Sequence, residues 1–325
     1  MARLIASAAV AIAASLQLIG GAAAQQSYPT KTVRFIVPFG AASATDITAR
    51  LFADRLSARW AKPVVVENRP GGDGLVSLNA FVDAHDDHVL WFGPAGVFNV
   101  LPYGHDTLPF DVRRDLVPIV SVSQVVLALS MPATMNVNSV DQFVALARAQ
   151  PGKLNGAAAQ GISDFLLFGF AKQMGLDIAR VPYRDIMQAP NDLVESRIQV
   201  LSTSYAVVQP LAKAGRIKVL AVTSQQRAPS APDVPTAAEA GYPALTFASI
   251  GGVFGPRDMP DKLRESIAAD FRQVAEEPII AKRLGDTGQI MSVLGPAEFA
   301  KSVEEQRDKL AGLAKVLGIK AAQSQ

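Results

Sequence analysis

Val33-Arg34-Phe35-Ile36-Val37-Pro38-Phe39-Gly40-Ala41-Ala42-Ser43-Ala44-Thr45-Asp46 is the stretch whose reading decides the fold. Residues 33–38 read as a strand with Val33, Phe35 and Val37 on one face, and residues 39–43 are small enough for a tight loop. After the loop, Ile47, Leu51, Phe52, Leu56 and Trp60 fall on one helical stripe. Ser43 with Asp46 three residues later is a helix-start signal, because a hydroxyl at the cap accepts from a first-turn N–H. A strand passed through a small loop into a capped helix is half of a βαβ unit, from which parallel sheets are built.

The same unit recurs outward from there. Residues 64–66 read as a strand closed by Asn68-Arg69-Pro70-Gly71-Gly72, 75–84 as a helix and 89–92 as a third strand. Residues 125–130 are a strand, and Ser139 with Gln142 opens a helix to Gln150 by the capping-box spacing. The 154–158 strand feeds Gln160-Gly161-Ile162-Ser163-Asp164 and a helix to Met174. The 198–201 strand feeds Ser202-Thr203-Ser204 and a helix, and 217–222 is one more strand. Residues 229–235 read as a surface connection, 247–254 as a late strand, and the chain from Asp261 as helices.

The N-terminus sets the compartment. Arg3 is the only charge before Lys31, residues 4–19 are nearly all apolar, and Ala22-Ala23-Ala24 offers a small-x-small cleavage site. This pattern is a secretory leader of residues 1–24, too short and too poor in flanking charge for a membrane span. Cleavage near Ala24 leaves 301 residues with 30 basic and 29 acidic groups. That balance argues against a nucleic-acid partner. With no Cys in the chain, disulfides are excluded and stability must come from packing of a chain that is 49% hydrophobic.

Motifs for chemistry are sparse. Gly72-x-Gly74-x-x-Ser77 lacks the third glycine of a dinucleotide fingerprint and reads as a tight turn. His85-Asp86-Asp87-His88 cannot converge on one ion from four consecutive turn positions, and reads as a solvated turn rather than a metal site. All three His lie between 85 and 105 and there is no nucleophile elbow, so neither catalysis nor a cofactor is expected. What remains is a set of four loops that end strands and start helices: Ser43-Ala44-Thr45-Asp46, Gly93-Pro94-Ala95-Gly96, Gln160-Gly161-Ile162-Ser163 and Ser202-Thr203-Ser204. Each offers backbone N–H groups and a positive helix end to an anion, at the edge of the sheet where α/β folds collect ligands. Thr45 adds a hydroxyl donor, while Asp46 supports the loop rather than touching a carboxylate. Phe39 and Phe98 flank the first two loops, and Phe165 the third; facing the cleft, they would favour a bulky apolar carboxylate.

The motif Tyr28-Pro29-x-Lys31-x-Val33-Arg34-Phe35-Ile36-Val37-Pro38-Phe39 with Ala44-Thr45-Asp46 resembles the mature start of the solute-binding proteins of tripartite tricarboxylate transporters, the Bug family. The resemblance continues through Glu67-Asn68-Arg69-Pro70-Gly71, Pro151-Gly152-Lys153-Leu154-Asn155, Val181-Pro182-Tyr183 and Pro232-Asp233-Val234-Pro235-Thr236. It implies a type II periplasmic binding fold of two lobes, 27–124 with 248–325 and 125–247, each a mostly parallel sheet flanked by helices. Two hinge crossings near Ser123 and Ala248 would join them. It also implies a monomeric, periplasmic protein that closes on a small organic carboxylate for delivery to membrane permease subunits. The ligand contacts so implied are Phe39, Ser43, Ala44, Thr45, Asp46, Pro94, Ala95, Gln160, Ser163, Asp164, Phe165, Tyr183, Ser202 and Thr203. Presentation of the closed form to a signalling partner is the alternative. Three departures bear on the ligand: Gly40-Ala41-Ala42-Ser43 where relatives often have Pro-Pro-Gly-Gly, Ser163-Asp164-Phe165 in place of Ser-Ser-His, and Ser202-Thr203 in place of Phe-Asp.

Overall fold

Two mixed sheets carry the chain. The computed structural model describes residues 28–159, 161–183, 186–247 and 249–321; the leader read in residues 1–24, Gln160 and the hinge position Ala248 lie outside them. The chain builds β1 (Val33–Val37), β2 (Val64–Asn68), β3 (Val89–Pro94) and β4 (Leu116–Val125) of one sheet. It crosses at Val126 into a second sheet of β5 (Leu127–Pro132), β6 (Leu154–Ala158), β7 (Ile178–Arg180), β8 (Val200–Ser204) and β9 (Ile217–Val222). It then returns for β10 (Ser249–Pro256) and the short β11 (Gln289–Met291). The helices are α1 (Ala44–Trp60), α2 (Leu75–Val82), α3 (Gly96–Gly104), α4 (Val140–Ala149), α5 (Ile162–Gln173), α6 (Ala189–Val194), α7 (Tyr205–Lys213), α8 (Asp261–Ala275), α9 (Pro278–Asp286) and α10 (Pro296–Leu317).

The strand orders are β11-β4-β10-β3-β1-β2 and β7-β6-β8-β5-β9. The βαβ reading holds for β1, β2 and β3, which pair in parallel, and for β6, β7 and β8. The expectation of mostly parallel sheets needs correction: β10 is antiparallel to both β3 and β4, and β5 to both β8 and β9. The reason is topological. A chain that leaves a sheet along β4 and comes back along β10 must traverse it in both directions.

Alternation along β1 sorts the core. Phe35 and Val37 face α1 and α8, where Phe52 and Phe271 stack at 5.2 Å between centroids. Ile36 faces the other layer, where Trp91, Phe98, Phe254 and Phe299 make a chain of ring contacts. Both faces are thus covered, as a parallel strand requires, and each buried Phe contributes roughly 1.5–3 kcal/mol over an exposed one. The helical stripe of α1 is Ala49, Phe52, Ala53 and Leu56; Ile47, expected on it, is exposed. The second sheet is covered likewise, by Phe143, Leu167 and Leu176 on one face and Leu193, Tyr205 and Val208 on the other.

One element joins both lobes. The N-terminal half of α10 packs Phe299 and Val303 into the first core, while Leu310, Leu313 and Ala314 enter a cluster with Leu127, Phe165 and Leu166 of the second lobe. Lys172 Nζ on α5 donates to the Leu317 carbonyl at 2.8 Å. The late chain, expected as helices throughout, also holds β11, whose three residues are too few to leave a periodic signal.

Candidate functional site

At the first helix start, Ser43 Oγ accepts from Asp46 N at 3.2 Å, as its spacing predicts. The Asp46 carboxylate, 2% exposed, does not close the box on Ser43. It accepts instead from Ala42 N at 2.9 Å, Asn68 Nδ2 at 2.8 Å and Arg50 Nε at 3.1 Å. Burial pushes this carboxyl up, but the hydrogen bonds from Arg50, Asn68 and Ala42 outweigh it and hold it below the ordinary range. Asn68 also donates to the Phe39 carbonyl at 2.9 Å. The Asn-Arg-Pro-Gly segment therefore ties the end of β2 to the loop before α1. Thr45 is buried in the first turn of α1.

Two first-lobe segments lie against helix starts of the second lobe. A Cβ built on Gly96, at the start of α3, would stand 3.7 Å from Cβ of Ile162, at the start of α5. Gly161, with φ 87°, caps α5 in a conformation that an L side chain rarely adopts. On the other side, Gly288 approaches Ala206 at the start of α7, within 3.1 Å of its nitrogen for an added Cβ. The next residue, Gln289, donates to the Ala44 carbonyl (3.2 Å) and Thr48 Oγ1 (2.8 Å) of α1 and accepts from Ser123 Oγ (2.7 Å) on β4. The starts of α3 and α5 thus approach each other across the lobes, while Gly288-Gln289 touches both the start of α7 and the start of α1.

Beside α5 lies a cavity of about 320 Å³ whose walls come from both lobes. Tyr103 and Val100 on α3 face Phe165 and Asp164 on α5, with Arg180 and Tyr183 beyond. Asp164 Oδ2 pairs with Arg180 at 2.9 Å, and the Arg180 guanidinium lies 4.4 Å from the centroid of the Phe168 ring. Burial pushes the Asp164 carboxyl up while Arg180 pulls it back. The Tyr183 hydroxyl donates to Asp192 at 2.6 Å; burial together with that bond pushes the phenol up to about 12.

The expected contacts are therefore distributed as follows. Phe39, Ser43, Ala44, Thr45 and Asp46 surround the start of α1, with Phe39 exposed. Pro94 and Ala95 are buried before α3, and Ala95 N is taken by the Ile250 carbonyl. Ser163, Asp164 and Phe165 form the first turn of α5, and Gln160 falls outside the described residues. Ser202 and Thr203 are not a loop: β8 runs to Ser204 and pairs both with β5, so the loop expected after residue 201 is ladder. Residues 93–94 likewise belong to β3. Phe98 is core, 1% exposed and edge-on to Phe254 at 5.0 Å, because its position on α3 turns it under the sheet rather than to the cleft. Ser123, near which one hinge crossing is expected, lies inside a strand paired to Gly251 and Met291. Sequence reading missed Gln289 and Gly288 and named Ser123 only as a hinge position; their contacts come from segments brought together over long separations. The turn at 85–88 is solvated only in part. His88 is buried; its Nε2 accepts from Thr30 N at 3.0 Å and Nδ1 lies 2.6 Å from Asp87 Oδ1, which fastens residues 28–31 to the body.

Comparisons with known proteins agree with this architecture. The family model described as the tripartite tricarboxylate transporter family receptor matches residues 48–319. A UPF0065 protein from the tcbD-tcbE intergenic region of Pseudomonas sp. strain P51 is 30% identical over 87% of this chain and 86% of its own length. Rpa4515 of R. palustris, solved with adipate, superposes with a TM-score of 0.79 at 28% identity, covering 91% of this chain and all of that one (100%). MatC of Rhodopseudomonas palustris, solved with malate, shares the fold at a TM-score of 0.76 and 23% identity over 88% of this chain and 99% of its own. No described helix is long and apolar enough to cross a membrane. With more than half of its length matched, and with two lobes of mixed sheet flanked by helices, the chain belongs to the tripartite tricarboxylate transporter family of receptors.

Proposed function

We propose that this receptor is exported through cleavage near Ala24 and binds a small organic carboxylate between its two lobes for delivery to membrane permease subunits. The observation that carries the reading is the approach of helix starts across the lobes, α3 directly to α5, and α1 to α7 by way of Gly288-Gln289. Each exposed helix end stabilises an anion by about 0.3–1 kcal/mol, rising to about 2 kcal/mol when partly buried. Two or more acting on one carboxylate hold it without an Arg clamp. The adipate and malate found in the two solved relatives are carboxylates of this size. The role is binding, not catalysis.

The contacts proposed are the α1 start with Thr45, the start of α3 at Gly96, where Ala95 N is already engaged, and Ser163 on α5. Calorimetry against a panel of mono-, di- and tricarboxylates tests this. Thr45→Ala is expected to weaken the best ligand by about 1 kcal/mol, roughly fivefold, the size of one hydrogen bond. An unchanged affinity removes Thr45 from the site, and no carboxylate bound at all overturns the function.

We place the lobes at 27–124 with 248–325 and at 125–247, with the crossings at Val126 and near residue 248 as hinges for the monomer. Small-angle scattering is expected to show a smaller radius of gyration with ligand, because hinge closure narrows the cleft. An identical radius at saturation sinks the hinge.

A further inference from the structure

We propose that the cavity beside α5 reads the body of the ligand, and that Asp164, paired with Arg180, makes the cleft prefer a carboxylate with one negative charge and an apolar body over a dicarboxylate. This rests on the carboxylate reading above and says which carboxylates it covers.

Three observations carry it. The first is the character of the walls. Val100, Leu101 and Tyr103 from the first lobe face Phe165 and Val181 from the second across about 320 Å³. That is the lower end of the size of ligand pockets, with room for a ring or a short alkyl chain. Tyr103 and Phe165 already lie 5.6 Å apart between centroids, so a flat or aliphatic body extends an apolar contact that is in place.

The second is that the positive end of α5 already carries one negative charge of the chain's own. Asp164 sits in the first turn, where a helix favours such a charge, so this end has less to offer a second ligand carboxylate.

The third is that the cation in the cavity is engaged. Arg180 holds Asp164 at 2.9 Å and stacks on Phe168 at 4.4 Å. A second ligand carboxylate entering here meets Asp164 as a like charge and must draw Arg180 away from it. An apolar end meets neither cost. Specificity then arises from a repulsive element as much as from an attractive one.

The test uses ligand pairs that share a carbon frame and differ by one carboxylate: hexanoate with adipate, and benzoate with terephthalate. Titration calorimetry on the wild-type protein is expected to give the monocarboxylates an advantage of about tenfold or more. Asp164→Asn, confirmed as folded by its cooperative melting, frees Arg180 and should shrink that advantage to about threefold or reverse it. A dicarboxylate bound as tightly as its monocarboxylate partner overturns the inference and leaves the carboxylate reading standing. An unchanged advantage in folded Asp164→Asn overturns the role of Asp164. Failure of all four ligands and of the wider panel overturns both. The wild-type comparison stands even where the variant does not fold.

Discussion

Gly252→Ala is expected to lower the free energy of unfolding by about 3 kcal/mol, at the upper end of the cost of overpacking a core. An added Cβ would lie 2.3 Å from the Val120 carbonyl oxygen and 2.6 Å from Phe299 Cζ. The first neighbour is backbone of β4, the strand that carries the chain toward the second sheet. The second anchors α10, which runs on to the other lobe. Neither can retreat alone: Gly252 sits beside a register irregularity of the β10–β4 pairing, and Phe299 is packed against Phe254 at 4.9 Å. Urea unfolding should show a lower midpoint with an unchanged slope. A loss under about 1 kcal/mol would mean that β10 and α10 shift together at little cost, contrary to the close packing of such interiors.

Asp46→Ala is expected to cost about 2 kcal/mol near neutral pH, because it strands the Ala42 N–H and the Asn68 amide and frees Arg50. The pH dependence gives a sharper test. The folded carboxyl is held below its ordinary value. Its stabilisation is therefore complete above the unfolded value, near 3.8, and is lost as the pH falls through the folded one. The stability gap between wild type and variant should be widest near pH 7 and should close in acid, as the pH falls through the lowered value of the folded carboxyl. Urea midpoints measured at both ends would show this. A gap that is constant, or that widens in acid, would remove the ionised carboxylate from the account. On the carboxylate reading the variant also binds ligand more weakly, since the N–H groups of Ala44 and Thr45 depend on this turn for their aim.

The motifs that carry the family resemblance turn out to be largely structural. Asn68 fastens the loop before α1, and Thr236 caps a turn by accepting from Glu239 N at 3.1 Å while Glu239 accepts from Thr236 N at 2.7 Å. Tyr28 and Lys31 tie the chain start to the turn at 86–87. Such segments hold the helix starts in place; of the motifs that carry the resemblance, Val181-Pro182-Tyr183 also lines the cavity. Asp164 and Phe165, which face the same cavity, are among the residues that depart from the family pattern.

The sequence by itself determined the alternating units, the cap at Ser43, the parallel run of β1 to β3 and the helix starts from which the site is proposed. These are local properties: hydrophobic period, cap chemistry and small loops act within a few residues of chain. Only the tertiary structure decided the rest. The reversal of β10 and β5, the extension of β8 through Ser202 and Thr203, the burial of Phe98 and the passage of α10 from one lobe to the other depend on what packs against what. So do the bond from Gln289 to the start of α1, across more than two hundred residues, and the pairing of Asp164 with Arg180. Contacts of that separation have no period to read; they exist because two sheets, each with both faces to cover, leave only certain side chains opposite one another.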